Sequence, residues 1–319
     1  MNPLGAPSTP CTPLPRGRSK FYPPRITLFS GCFELLTLLC SLLSPAPARA
    51  QEVRYSPRYF GPNANPVLPL TGAIIPAAMT VELAADGYWG FGDRAANAAV
   101  AVEVPLAEGV SCKLWGVALE RYEVSEAVYR ERSMASGSLR GQQTMGDLYA
   151  QMRIGLFAEG KYRPAVVFNA TLKTASSVTV RDRRYFDTPG YAFDLELGKS
   201  ARLAAGGALT EVRLALGFGF LCWETGASVQ NDASMYGAKL ILSNRLLCLE
   251  GALQGYHGWM RNGDSPLVCT AKLALRPFAV QPFVAYQYGL HDFPFHHLQL
   301  GVALRLPRRS FRTSAPPAG

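Results

Sequence analysis

Apolar residues alternate with polar or small residues along most of the chain from about residue 79 to residue 306. In the clearest stretch, one face of an extended chain would carry Leu298, Leu300, Val302, Leu304 and Leu306. The other face would carry His297, Gln299, Gly301, Ala303 and Arg305. A period of two is typical of a β-strand with two different faces, whereas a helix would spread these apolar residues around its circumference. The pattern therefore predicts β-strands.

The same alternation predicts about twelve strands, at 79–89, 96–106, 109–121, 145–157, 162–173, 190–199, 208–222, 235–245, 247–260, 266–276, 279–289 and 296–306. Tight turns at 105–109, 158–160, 243–245 and 276–277 alternate with longer polar connections at 122–144, 175–188, 224–234, 261–265 and 290–295. The turn at 199–207 is longer than the other turns on its side. Long loops at one end and short turns at the other are typical of an up-and-down barrel that crosses an outer membrane.

A soluble antiparallel sandwich has the same alternation, so the residues on the less apolar face decide between the two folds. That face carries Gly, Ala and charges of both signs: Glu82, Asp86, Glu103, Asp147, Arg153, Lys173, Asp194, Glu196, Arg213, Lys239, Glu250, Lys272 and Arg305. A closed barrel in lipid needs an apolar outer face, while its lumen can hold water and ion pairs. The sequence therefore predicts an all-β, antiparallel up-and-down transmembrane β-barrel over 77–306, whose lumen these charged residues line.

Aromatic residues cluster near the strand ends that face the long loops. They are Tyr88, Trp89, Trp223, Tyr236, Tyr256, Trp259, Tyr286, Tyr288, Phe293 and Phe295. Membrane barrels place such residues in girdles at the membrane interfaces, whereas a soluble core would spread them through strand centres. We therefore expect an interfacial girdle.

Residues 1–50 have the three parts of a secretory signal peptide. Basic residues precede an apolar run from Ile26 to Leu43, and Ala48-Arg49-Ala50 provides a cleavage site. An uncleaved anchor, or a lipoprotein modified at Cys32, would be the alternatives. No other apolar run is long enough for a spanning helix, which excludes a polytopic helical membrane protein.

Two further segments flank the predicted barrel. Residues 51–76 are rich in proline and have little periodicity, so they predict an extended lead-in rather than a domain. The sequence leaves open whether this lead-in enters the lumen as a plug. Residues 307–319 form a basic, proline-rich tail.

Charge and cysteine content argue against several classes of function. The formal net charge of +9 falls to about +5 without the signal peptide, which holds five basic residues and one acidic residue. The remaining charges are dispersed, so we expect no binding to nucleic acid. Cys112, Cys222, Cys248 and Cys269 are far apart in sequence and form no C-x-x-C pair, so we expect neither a metal site nor a cofactor. Disulfides are permitted, but free thiols are favoured for Cys112 and Cys269, which would face lipid.

The chain has four histidines, and none has a convincing catalytic neighbourhood in sequence. An outer-membrane phospholipase needs a serine activated by histidine, yet His257 is eight residues from Ser265. His296 and His297 are adjacent, so in a strand they would point to opposite faces instead of sharing a metal with His291 and Asp292. We therefore predict no catalytic residues and no enzyme activity.

Three motifs of the mature chain suggest a family: Arg58–Ala64, Leu172–Ser176 and Asp187–Tyr191 leading into Gly198–Ser200. With these motifs, the chain resembles outer-membrane β-barrel proteins of the kind abundant in Bacteroidetes, many of them uncharacterised. The resemblance implies an outer-membrane location, contact with outer-membrane lipid and insertion by the barrel-assembly machinery. Such barrels usually end on an aromatic residue, whereas Leu306 closes the last strand here and Phe311 lies in the tail.

Three functions are consistent with this sequence. The first is a passive pore or small-solute transporter with a polar lumen, the second a non-conducting structural or surface-binding barrel, and the third a lipid-acting enzyme. A local prediction accompanies the barrel: Asp194 and Glu196 should both face the lumen and form an ion-pair cluster with Lys173 and Arg213 of the adjacent strands.

Overall fold

The computed structural model describes residues 59–132, 134, 142–177, 184–185, 188–203, 209–225, 229–261, 263–276 and 279–306. The predicted signal peptide and the C-terminal tail lie outside these residues. None of the helices in the described part of the chain is long and apolar enough to cross a membrane.

Within the described residues, twelve long strands follow one another, with one short strand and one short helix between the third and fourth of them. The strands are β1 (Met79–Gly90), β2 (Asp93–Ala107), β3 (Val110–Val124), β4 (Gln142–Thr144), β5 (Leu148–Phe157), β6 (Ala165–Lys173), β7 (Gly190–Arg202), β8 (Glu211–Thr225), β9 (Val229–Ser243), β10 (Leu247–Gly258), β11 (Leu267–Leu275), β12 (Val280–His291) and β13 (His296–Leu306). The helix is α1 (Glu126–Glu131), capped by the Ser125 side chain. Every predicted strand is present.

The sheet closes on itself. Each long strand pairs antiparallel with the long strand that follows it, β3 pairing with β5 across the long connection. The first and last strands then pair along their whole length, from Met79 opposite Leu306 to Trp89 opposite His296. Closure leaves no long strand with an unpaired edge, as a spanning barrel requires. The predicted fold class, an antiparallel up-and-down barrel, is confirmed.

Strand boundaries differ most from the prediction at the long-loop end of the barrel. β9 begins at Val229 instead of 235, and it continues its pairing with β8 up to Thr225 opposite Val229. Residues 230–234 are polar or small, so they show no alternation that a periodicity argument could detect. Backbone hydrogen bonding alone extends the strands there.

The two faces of the wall have opposite character, as β8 illustrates. Leu214, Leu216 and Phe218 are about half exposed on the outside, at 50%, 50% and 52%. Arg213 and Ala215, which alternate with them, are buried on the inside. A soluble sandwich would bury the apolar set instead. An exposed apolar face around a polar interior is the arrangement of a barrel surrounded by lipid.

Candidate functional site

Most of the charged residues predicted to line the lumen lie in cross-strand ion pairs. Lys173 pairs with Asp147 at 2.7 Å, Lys239 with Glu250 at 2.7 Å and Lys272 with Glu82 at 3.9 Å. Arg153 also pairs with Glu103. Arg213 pairs at 2.6 Å with Glu159 of the β5–β6 turn, a residue that the alternation did not single out. Arg305 lies on the same side of β13 as the luminal residues of that strand, but it is exposed near the end of the strand. The pairing of opposite charges offsets the cost of taking them out of bulk water.

Asp194 and Glu196 are buried on the inner side of β7, but the ion-pair cluster predicted for them is wrong. Asp194 accepts a hydrogen bond from Asn169 at 2.7 Å. The register of β6 and β7 places Asn169 opposite Asp194 and moves Lys173 up to Gly190, beyond reach of both carboxylates. Arg213 of β8 lies opposite Ser200 of β7, and its guanidinium donates to the Ser200 hydroxyl instead of to Asp194 or Glu196. Strand order alone does not define which residues face each other, because that depends on the register of each pair of strands.

The N-terminal lead-in enters the lumen, which answers the question that the sequence left open. We call residues 59–76 the lumen segment. Near its start, Gly61 lies directly against Arg184 of the β6–β7 loop, at the long-loop end. Near its finish, Ile75 lies against Gly155, next to the short β2–β3 turn at Gly109. The segment therefore runs the length of the lumen, and β1 then returns along the wall.

The middle of the lumen segment, Leu70–Ile74, is held mainly through its backbone. Glu196 accepts hydrogen bonds from the backbone N–H of Thr71 and of Ala73, both at 2.7 Å, and from the Thr71 hydroxyl at 2.8 Å. The remaining contacts are Arg213 to the carbonyls of Gly72 and Ala73, Lys239 to the carbonyl of Leu70, Arg153 to the carbonyl of Ile74, and the Leu70 N–H to Gln254. Several of the side chains predicted to line a pore therefore bind the lumen segment of the same chain.

At the long-loop end, the lumen segment completes an apolar cluster inside the barrel. Val67 and Leu68 pack with Tyr149, Ala192, Leu221, Trp223, Ala233, Tyr256, Val268, Phe293 and Phe295. Four aromatics expected in the interfacial girdle, Trp223, Tyr256, Phe293 and Phe295, are thus internal. Tyr88 also faces inward and stacks on His297. The girdle retains the members that are exposed, which are Trp89, Tyr236, Trp259, Tyr286 and Tyr288.

A cavity of about 500 Å³ lies beside the lumen segment. Its walls come from Pro66, Leu70 and Ile74 of the segment and from inward residues of the barrel wall, mostly on β1–β3 and β9–β13. Charged groups of both signs line it, among them Glu82, Asp86, Glu103, Lys113, Lys239, Glu250 and Lys272. The cavity therefore has a lining of apolar and charged groups together, and its charges are close to balance.

A buried ionic network secures the long-loop end. The Arg184 guanidinium donates to Asp93 and to Glu120, the Tyr185 hydroxyl donates to Glu120 at 2.6 Å, and Arg132 pairs with Asp93 at 2.6 Å. Burial alone would lower the pKa of Arg184, but Glu120 and Asp93 outweigh it and raise that pKa. Sequence reasoning missed this network because its members are distant in the chain and its arginines lie in connections without periodicity.

His257 and Ser265, which sequence spacing had argued against as a pair, are in contact on the exposed side of the long-loop end. The Ser265 hydroxyl lies 2.8 Å from Nδ1 of His257, and the Ser265 N–H donates to Asp292 at 3.1 Å. Among the described residues, no group of three His, Cys, Asp or Glu side chains could hold a metal ion. His296 and His297 lie on opposite faces of β13: His296 stacks on the exposed Trp89, while His297 is 3.2 Å from the buried Asp86.

No protein-family model and no curated protein matches the chain. Among solved structures, it is similar to the NanC porin, at 8% identity over 71% of this chain and 100% of that chain, with a TM-score of 0.49. It is also similar to the COG4313 outer membrane channel from Pseudomonas putida F1, at 11% identity over 76% and 100% of the two chains, with a TM-score of 0.48. A third similarity is to the translocator domain of the autotransporter NalP from Neisseria meningitidis, at 15% identity over 73% and 90%, with a TM-score of 0.40. These neighbours are bacterial outer-membrane proteins, and similarity at this level carries no information about a solute or a bacterial lineage, so the expected Bacteroidetes origin stays a prediction.

Proposed function

We propose that this protein is an outer-membrane channel for small solutes, which pass through the part of the lumen that the lumen segment leaves free. The observation that carries this proposal is the cavity of about 500 Å³ beside the segment, which charged groups of both signs line. The exposed apolar face of the wall supports a position in lipid, reached through the barrel-assembly machinery. In that position the long loops face the cell exterior, and Met79 and Leu306 lie on the periplasmic side.

Two properties of the channel follow from its lining. The lumen segment fills part of the cross-section, so only small solutes should pass. Because acidic and basic side chains both line the cavity and most of them are paired, the channel should discriminate little between cations and anions.

Single-channel recording of the full-length protein in planar bilayers tests this proposal. We expect small, weakly ion-selective conductance steps. Ala252→Trp places a large side chain in the cavity and should reduce the step size, whereas Leu253→Trp, on the outer face of the same strand, should leave it unchanged. Equal steps in both variants would mean that current does not pass through this cavity.

A second candidate function, a non-conducting structural barrel, is supported by the apolar cluster around Val67 and Leu68. Such a cluster excludes water at the long-loop end. If it closes the lumen, correctly folded full-length protein will give no conductance steps under any applied voltage. The same recordings therefore separate the two candidates.

We propose no enzymatic role for the His257–Ser265 contact. The described residues give His257 no hydrogen bond apart from the one to Ser265, so no third group orients the imidazole as a catalytic base requires. A fatty-acid release assay on outer-membrane lipid checks this assignment. Release that disappears in Ser265→Ala would support the lipid-acting alternative instead.

A further inference from the structure

We propose that the inner wall around Glu196, Arg213 and Lys239 is a binding site for a peptide segment, recognised mainly through its main chain, and that the lumen segment is its removable occupant. This inference goes beyond the proposed channel and does not require the barrel to conduct. The class of ligand is a short peptide with an apolar residue followed two positions later by glycine, as in Leu70-Thr71-Gly72.

Glu196 has the contacts expected of a residue that receives a peptide. Its side chain is fully enclosed, and the described residues give it no ion pair. Apart from a 3.3 Å contact with Asn169, its hydrogen bonds all come from the lumen segment. A buried carboxylate without such donors would be strongly destabilising, so the segment supplies what the wall lacks.

The cations of the site differ from Glu196, because each has a second partner in the wall or its turns. Arg213 pairs with Glu159, Lys239 with Glu250 and Arg153 with Glu103, in addition to their contacts with segment carbonyls. Departure of the segment would leave these three charges paired, while Glu196 would lose its main donors and Gln254 would lose the Leu70 N–H. An entering water or a second peptide could satisfy Glu196, which makes exchange of the occupant feasible.

The shape of the wall adds selectivity for Leu70 and Gly72. A side chain at Gly217 would place its Cβ 2.3 Å from Leu70 Cδ2, so the bare backbone there makes room for the leucine. Gly72 has a φ of +79°, and a Cβ at this position would lie 2.9 Å from Ile241 Cδ1. Both the conformation and the space therefore favour glycine at the turn that directs two N–H groups to Glu196.

The test uses the full chain with a specific protease site inserted after the exposed Ala77, at the short-turn end. After folding and cleavage, a fluorescent synthetic peptide of residues 59–76 is added, and its exchange with the cleaved segment is followed by fluorescence anisotropy. We expect exchange with saturable binding. A Gly72→Val peptide should bind at least about tenfold more weakly, and a Thr71→Val peptide only a few-fold more weakly, since it keeps the backbone donors.

Two barrel variants supply the matched comparison. Glu196→Gln should speed release of the cleaved segment by about tenfold or more. Glu82→Gln should leave release unchanged, because this luminal carboxylate pairs with Lys272 and has no hydrogen bond to the described lumen segment. The peptide variants give an independent readout, because they do not affect folding of the barrel.

Three results would overturn the inference: a cleaved segment that never exchanges, a Gly72→Val peptide that binds as well as the parent, or equal release from the Glu196 and Glu82 variants. Conductance measured on the same samples keeps the two proposals apart. Peptide binding without any current would refute the channel and support the peptide site. Current without peptide binding would refute the peptide site and support the channel.

Discussion

The outer and inner faces of β7 depend on different kinds of contact. Phe193 is 46% exposed, while its neighbours Asp194 and Glu196 are 7% and 1% exposed on the other side. The outer face requires only apolar character, since lipid offers no hydrogen-bond partners. The inner face requires hydrogen-bond donors at defined positions. Asn169 supplies one to Asp194, and the lumen segment supplies those to Glu196. Substitutions on the outer face should therefore affect insertion, and those on the inner face should affect occupancy of the lumen.

The largest effect is expected on the outer face. Leu195→Arg would present a charge to lipid and should oppose insertion by about 2–4 kcal/mol if the site lies near the membrane midplane. Folding into liposomes, followed by heat-modifiable gel migration, measures this. Normal insertion of Leu195→Arg, together with failure of Asp194→Ala and Glu196→Ala, would reverse our assignment of the two faces.

The next effect is expected at Glu196. Glu196→Ala removes the acceptor for two backbone N–H groups of the lumen segment and should lower the free energy of unfolding by about 1.5–3 kcal/mol, without preventing insertion. Denaturant unfolding of the liposome-folded protein gives this value. The comparison of the two faces fails if the variant inserts as poorly as Leu195→Arg.

A smaller effect is expected at Asp194, whose hydrogen bond comes from Asn169 and not from the described lumen segment. Asp194→Ala should cost about 0.5–1.5 kcal/mol of unfolding free energy, because one hydrogen bond from Asn169 is lost. Protease sensitivity of the lumen segment should stay at the level of the parent protein. Increased cleavage within 59–76 would indicate that Asp194 also holds the segment.

The smallest effect concerns pH and Glu159, in the turn between β5 and β6. Burial would raise the pKa of Glu159, but the Ser200 N–H and the cations Arg213 and Lys199 outweigh it and lower that pKa. A lowered pKa in the folded state means that the contribution to stability is complete above the pKa of the unfolded chain, about 4.3, and is lost as the pH falls through the folded value. Stability measured from pH 6 to pH 3 should therefore fall less steeply in Glu159→Gln than in the parent, and parallel curves would show that the pair with Arg213 contributes nothing.

The strands could be predicted from sequence because each wall residue faces either lipid or the lumen, and that choice repeats every two residues. The same alternation places Trp223 and Tyr256 on the inner face of their strands. The sequence therefore contained the evidence that these two aromatics are internal, although their position near the loops suggested the girdle. The partners of Asp194 depend on register, which alternation does not define. The lumen segment was not predictable, since it lacks periodicity and the wall holds Leu70–Ile74 through backbone atoms that every residue has.

Occupation of the lumen by residues 59–76 is the central claim, and a cross-link across the lumen tests it most directly. Leu70→Cys combined with Gly217→Cys, in a background where all seven native cysteines are serine, pairs two positions that are in contact inside the barrel. Leu216→Cys, whose side chain is half exposed on the outer face, replaces Gly217→Cys in the control. After folding into liposomes and treatment with a short thiol cross-linker, we predict an intramolecular product for the 70–217 pair and none for the 70–216 pair. No product with either pair, or a product with the 70–216 pair only, would contradict the presence of the segment in the lumen.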